Sequence, residues 1–192
     1  MDEVKKWAQE MQTYALPRWE NLPNIELYMD QVVEVVEKQL QPLFLKNQAK
    51  IITATMINNY VKLELISKPV KKRYQRKHIA SIITITILKQ ILPISAISKS
   101  IKLHTERFTA DIAYDMFCTE IEYGLQTVGR QILGEHIVQG LKQTESLELK
   151  MAAIAFSSKN ILEKILIREQ TDKKDIKKQN SEQKERRKKN GK

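Results

Sequence analysis

A single cysteine, Cys118, leaves this chain without a partner for an internal disulfide, and its apolar neighbours mark it as a small buried hydrophobe. The 192 residues hold only five glycines and five prolines, so few positions break regular structure, and a mostly helical chain is expected. No uninterrupted apolar run approaches a membrane span. The richest, Ile82 to Leu92, is broken by Thr84, Thr86, Lys89 and Gln90. The opening M-D-E-V-K-K-W lacks a basic segment followed by an apolar one, so no secretory signal is read and a cytoplasmic protein without stable membrane insertion is expected. Glycine-rich phosphate loops and nucleophile elbows are missing too. His78, His104 and His136 are far apart and lack cysteine or carboxylate partners at ligand spacing. Asp111, Asp115, Glu120 and Glu122 read as the solvated face of a helix. These absences predict no catalytic residue, no metal, no cofactor and no enzyme.

What the chain has is concentrated positive charge. Residues 51 to 102 carry 10 Lys/Arg against one Asp/Glu, and residues 168 to 192 carry 11 against five, while the remainder is mildly acidic. The net +10 is thus two basic blocks, a distribution that suits a polyanion.

Apolar spacing divides the chain into helices. Leu22-Pro23-Asn24 reads as turn and cap for a helix over Ile25–Leu40, with Ile25, Tyr28, Met29, Val32, Val36 and Leu40 inward and Pro42 ending it. Thr53 caps a second helix whose stripe is Ile57, Tyr60 and Val61, opposite Thr55, Asn58, Asn59 and Lys62. Asparagines are poor mid-helix residues, so an outward pair suggests placement for another purpose. Leu65, Ile66, Pro69, Val70 and Tyr74 anchor a short non-helical segment. A further helix runs from about Arg76 to Ile91, preferred over a strand despite the run I-I-T-I-T-I because the pattern continues further than a strand needs. Pro93 stops it, and Ser95 caps a short helix carrying Ala96, Ile97 and Ile101. Beyond Thr105, Phe108, Ile112, Phe117, Ile121, Leu125, Val128 and Ile132 line one long helix, with Gly124, Gly129 and Gly134 as close-approach or bend points. A last helix, about Ser146–Arg168, is expected to pair antiparallel with it.

The central segment resembles the winged helix-turn-helix of MerR-type transcription regulators. Ile57-Asn58-Asn59-Tyr60 corresponds to the recognition helix, Leu65-Ile66 to the hydrophobic turn, Pro69 to the proline that follows, and Arg73-Tyr74 to the pair beyond the wing. R-K-H-I-A-S-I, with His78 where that family places Asp or His, resembles the next helix, and P-I-S-A-I-S-K-S-I the closing one. The chain is also similar, over roughly residues 18 to 168, to an uncharacterised family of MerR-like regulators from low-GC Gram-positive bacteria. Departures are specific: Asn59 replaces an aromatic, Val61 an acidic residue and Glu64 the turn glycine, the last reading as continued helical geometry instead of a left-handed turn. The wing glycine is missing, the wing is short, and about a dozen residues stand where the tight turn belongs.

The resemblance implies a mainly all-α protein: an N-terminal extension (1–20), a MerR-like domain with an abbreviated wing (21–103), a C-terminal helical hairpin for dimerisation or effector binding (104–170), and a disordered basic tail (171–192). Thr55, Asn58, Asn59 and Lys62 are the candidates for reading base edges, since asparagine pairs bidentately with adenine and lysine reaches guanine or phosphate. Lys68, Lys71, Lys72, Arg73, Arg76 and Lys77 would hold phosphates, with Lys99 and Lys102 as outlying additions. Ile57, Tyr60, Leu65, Ile66 and Tyr74 are the structural anchors. The expected partners are double-stranded DNA, a second copy in a homodimer and an unidentified effector, and the expected role is sequence-specific transcription regulation. The rival reading is an interaction module that sets its basic patch against an acidic protein or an anionic membrane surface.

Overall fold

The structure, a computed structural model, describes residues 2–44, 50–135 and 146–165. These form α1 (Asp2–Thr13), α2 (Met29–Leu40), α3 (Ala54–Lys62), α4 (Arg76–Leu88), α5 (Ile94–Thr105), α6 (Ala110–Leu133) and α7 (147–165), with single 3-10 turns at Trp19–Asn21 and Gln41–Leu43. The protein is mainly α-helical. Among the described residues β-structure is confined to two isolated antiparallel bridges, Leu27 with Tyr74 and Val70 with Arg73.

α4 is the axis of the core. His78 to Ala80, Ile82, Ile83 and Ile85 to Leu88 are all buried, so it is surrounded instead of presenting one face. Burial on every side overrides the strand preference of its isoleucines. Thr86 spends its hydroxyl on the Ile82 carbonyl at 2.7 Å, which lets a polar residue sit there.

The N-terminal segment packs onto the core through α1. Val4, Trp7, Ala8 and Met11 stand at i, i+3, i+4 and i+7 and bury the inner face of α1 against the second half of α6. The contact is close because residue 129 is glycine: a Cβ there would collide with the Gln12 side chain. Gln12 bonds the Gln126 carbonyl at 3.3 Å and accepts from Arg130 Nε at 3.3 Å, stitching the pair. Tyr14 OH donates to the Gln39 carbonyl at 2.8 Å and ties the end of α1 to α2.

α2 starts at Met29, four residues later than the spacing predicts. Leu27 and Tyr74 exchange two backbone hydrogen bonds of 2.9 and 2.8 Å, which hold this stretch extended and leave Ile25 68% exposed and Tyr28 50% exposed. Only then does the helix begin, the Tyr28 N–H donating to Gln31 Oε1 at 2.9 Å. α5 likewise begins at Ile94, with Pro93 at its cap and Ser95 already inside the first turn.

The C-terminal helices do not form an antiparallel hairpin. α7 begins beside the first half of α6: Ser146 bonds His104 at 3.0 Å, and Leu149 shares a cavity wall with Phe117. Ala153 then crosses Gly124, and Lys164 lies 5.3 Å above the ring of Trp7, which belongs to the α1 face packed on the far half of α6. α7 therefore advances in the same sense as α6. The apolar stripe established that α7 is buried but carried no information on direction, which its hydrogen-bonded start decides. Ile112, expected on the inner face of α6, is 49% exposed. The proposed tail, 171–192, and His136 lie outside the described residues.

Candidate nucleic-acid interface

Thr53 caps α3, its hydroxyl accepting the Met56 N–H at 3.2 Å. Ile57 and Tyr60 face the core, which turns Thr55, Asn58, Asn59 and Lys62 outward, all four exposed. The helix ends in a Schellman turn. Leu65 N–H reaches the Tyr60 carbonyl at 3.0 Å and Glu64 N–H the Val61 carbonyl at 3.1 Å, with Glu64 at φ 57°. The left-handed position is thus retained on a glutamate, and the expectation of continued helix here fails because Leu65 and Ile66 must turn inward to be buried.

The chain then passes Lys68 and Pro69 into a tight turn, Val70-Lys71-Lys72-Arg73, closed by the Arg73 N–H to the Val70 carbonyl at 2.9 Å. Lys71 and Lys72 both have positive φ, 49° and 61°, as the two central residues of a type I′ hairpin turn do. Lysine has a Cβ that resists this region, at a cost of roughly 1 kcal/mol each. Two lysines at a strained tip point outward together, where glycine or asparagine would be the low-energy choice. The expected short wing falls on this single turn.

Its base is firmly held. Ile57, Tyr60, Leu65, Ile66 and Tyr74 are all buried. His78 accepts the Gln75 N–H on Nδ1 at 2.8 Å, so Nε2 carries the proton and faces Ser67 Oγ at 3.1 Å, while Tyr74 packs edge-on at 5.6 Å. Burial first, then the neighbouring Lys77 charge, push the His78 pKa below the ordinary histidine value. One neutral imidazole thereby caps α4 and pins the loop leaving α3.

The predicted phosphate ligands divide into two groups. Lys68, Lys71, Lys72 and Lys77 are exposed and, like Lys62, make no ion pair among the described residues. Arg73 stacks 4.9 Å over Tyr28 with Glu26 at 3.9 Å, half-committed to the bridge. Arg76 bonds Glu20 at 3.0 Å with its side chain 15% exposed, so its guanidinium is already partly engaged within the fold. Lys99 and Lys102 are exposed on α5.

The acidic residues of α6 were read as solvated surface, yet two of them are clamps. Glu122 receives both guanidinium nitrogens of Arg18 at 2.6 Å and the Leu16 N–H at 2.8 Å, and Asp115 receives the Trp19 N–H at 2.7 Å. They hold 16–19 across α6, next to Cys118, whose thiol points at the Pro17 carbonyl at 3.8 Å and is pushed up to about 12 chiefly by burial. No sequence signal announces pairings about a hundred residues apart. None of the helices among the described residues is long and apolar enough to cross a membrane.

The architecture is that of a helical protein whose exposed polar helix leads into a lysine-tipped turn. Residues 17–117, more than half of the chain, match the model of the domain of unknown function DUF1836, and the protein belongs to that family. The match spans α2 to α5 and the start of α6, leaving α1 and α7 as additions packed around it. No curated protein and no solved structure matches the chain.

Proposed function

We propose that this protein binds double-stranded DNA as a transcription regulator, with α3 as the recognition helix of a MerR-like winged helix-turn-helix and the Lys71-Lys72 turn as its wing. The observation that carries the reading is that turn: two unpaired lysines held in left-handed geometry immediately after an exposed Thr/Asn/Asn/Lys helix face. Thr55, Asn58, Asn59 and Lys62 meet base edges, while Lys68, Lys71, Lys72 and Lys77 take phosphates. A nine-residue helix reads few base pairs, so a homodimer doubling the contacts is part of the proposal. The exposed apolar residues Leu147, Met151 and Leu162 of α7 are where we place self-association.

Counterion release makes the test quantitative. Four phosphate-binding lysines per protomer predict that log K falls against log salt with a slope of about −3.6 per protomer. Replacing Lys71 and Lys72 by Ala reduces that slope by about 2, whereas Asn58→Ala with Asn59→Ala flattens preference among duplex sequences and leaves the slope unchanged. Binding to random duplex that is absent or indifferent to salt sinks the proposal.

A further inference from the structure

Between α4, α5 and α6 lies a cavity of about 230 Å³ that shares only Lys77 with the proposed DNA contacts. Trp19, Ala80, Leu88, Ile101, Ala113 and Phe117 supply its apolar wall, and Leu149 from α7 contributes to one side. With the exception of Leu149, every lining residue falls in the span that matches the family model, so the cavity belongs to the domain itself.

Its polar groups are few, and their state is informative. His104 is fully used: Nδ1 meets the Ser100 carbonyl at 2.9 Å and Nε2 meets Ser146 Oγ at 3.0 Å, with Glu148 at 3.7 Å. Ser81 and Thr105 spend their hydroxyls on carbonyls of their own helices. Thr84 and Ser100, both half-buried, make no side-chain hydroxyl bond among the described residues. Lys77 is the sole Lys or Arg on the lining and no carboxylate shares it. The Tyr114 hydroxyl, also on the lining, is buried without a hydrogen-bond partner, and a chamber with an apolar wall, three unspent hydroxyls and one unopposed ammonium has the composition of a small-molecule site.

We propose that this cavity binds a small monocarboxylate with an apolar body, its carboxylate on Lys77 and its body along the apolar wall. A cation would meet Lys77 with nothing to offset the repulsion, and a dianion would find a single counter-charge. Size limits the body: an apolar cavity of about 150 Å³ holds benzene, so this one takes roughly eight to twelve heavy atoms. Phenylacetate and hexanoate are suitable probes. The site shares Lys77 with the phosphate contacts proposed above, but its test contains no DNA, so failure of either proposal leaves the other standing.

The full chain is titrated by calorimetry and by tryptophan emission, since Trp19 lines the cavity, with each acid compared against its amide. The acid is expected to bind about tenfold or more tightly than the amide, the difference made by one charge-assisted contact. Lys77→Gln, at an exposed position, removes the preference, while Lys89→Gln, off the lining, leaves it. Thr84→Trp sets an indole inside the chamber and abolishes binding of both acids. Equal affinity of acid and amide, a preference that survives Lys77→Gln, or binding retained in folded Thr84→Trp overturns the assignment.

Discussion

His78 shows how much one side chain holds together here, since it caps α4, orders the loop after α3 through Ser67 and packs against Tyr74. All of this requires the neutral ring. Its pKa in the fold is lowered, so on acidification the unfolded chain takes up a proton, near the ordinary value of about 6.5, before the folded chain does. The stability it contributes is therefore complete above that pH and is lost as pH falls toward the lower folded value. Chemical denaturation at a series of pH values is expected to show this loss in the native protein and a shallower one in His78→Gln, whose amide can still accept at the cap. Identical slopes would refute the role. The sequence places His78 beside the family's Asp or His but does not show the tautomer, which is fixed by the Gln75 N–H at Nδ1, nor the contact with Ser67 eleven residues away. The Arg76–Glu20 pair was illegible for a related reason: the partners are 56 residues apart.

At the level of elements, glycine and its absence set the helix ends and crossings. Glu64 occupies a left-handed position that favours glycine, so Glu64→Gly is expected to raise stability by about 1 kcal/mol, offset partly by the freer unfolded chain. Gly124 is the opposite case: a Cβ there would sit 2.7 Å from the Ala153 backbone, and backbone cannot swing aside. Gly124→Ala is expected to cost about 1–3 kcal/mol by forcing α7 away from α6. Equilibrium urea unfolding of both variants checks the two signs together. The helices themselves were legible where a 3.6-residue stripe ran uninterrupted, as in α3 and α6, and α4, buried all round, was legible by the length of its apolar run. Boundaries were lost where tertiary bonds intervened, as at Leu27. The stripe of α1 was also present in Val4, Trp7, Ala8 and Met11, but four apolar positions among charged neighbours were passed over as an extension.

Over the whole molecule, the family-matched span is enclosed by helices from both sides of it in sequence. Deleting residues 2–13 exposes the α6 surface around Val128 and Gly129, and is expected to lower the thermal midpoint by more than 10 °C, the direct result of losing four buried side chains of about 1–3 kcal/mol each. A midpoint unchanged in scanning calorimetry would show that α1 is dispensable. Periodicity could not reveal this arrangement, nor the shared direction of α6 and α7, because both depend on which distant surfaces meet. The pairing of α1 with α6 also has a consequence for synthesis. At about 5–20 residues per second, α1 leaves the ribosome several seconds or more before the last turns of α6 exist. Until then Trp7 and Met11 travel uncovered beside a partner not yet made, so the nascent chain passes through an interval in which a holdase chaperone has an apolar helix to grasp.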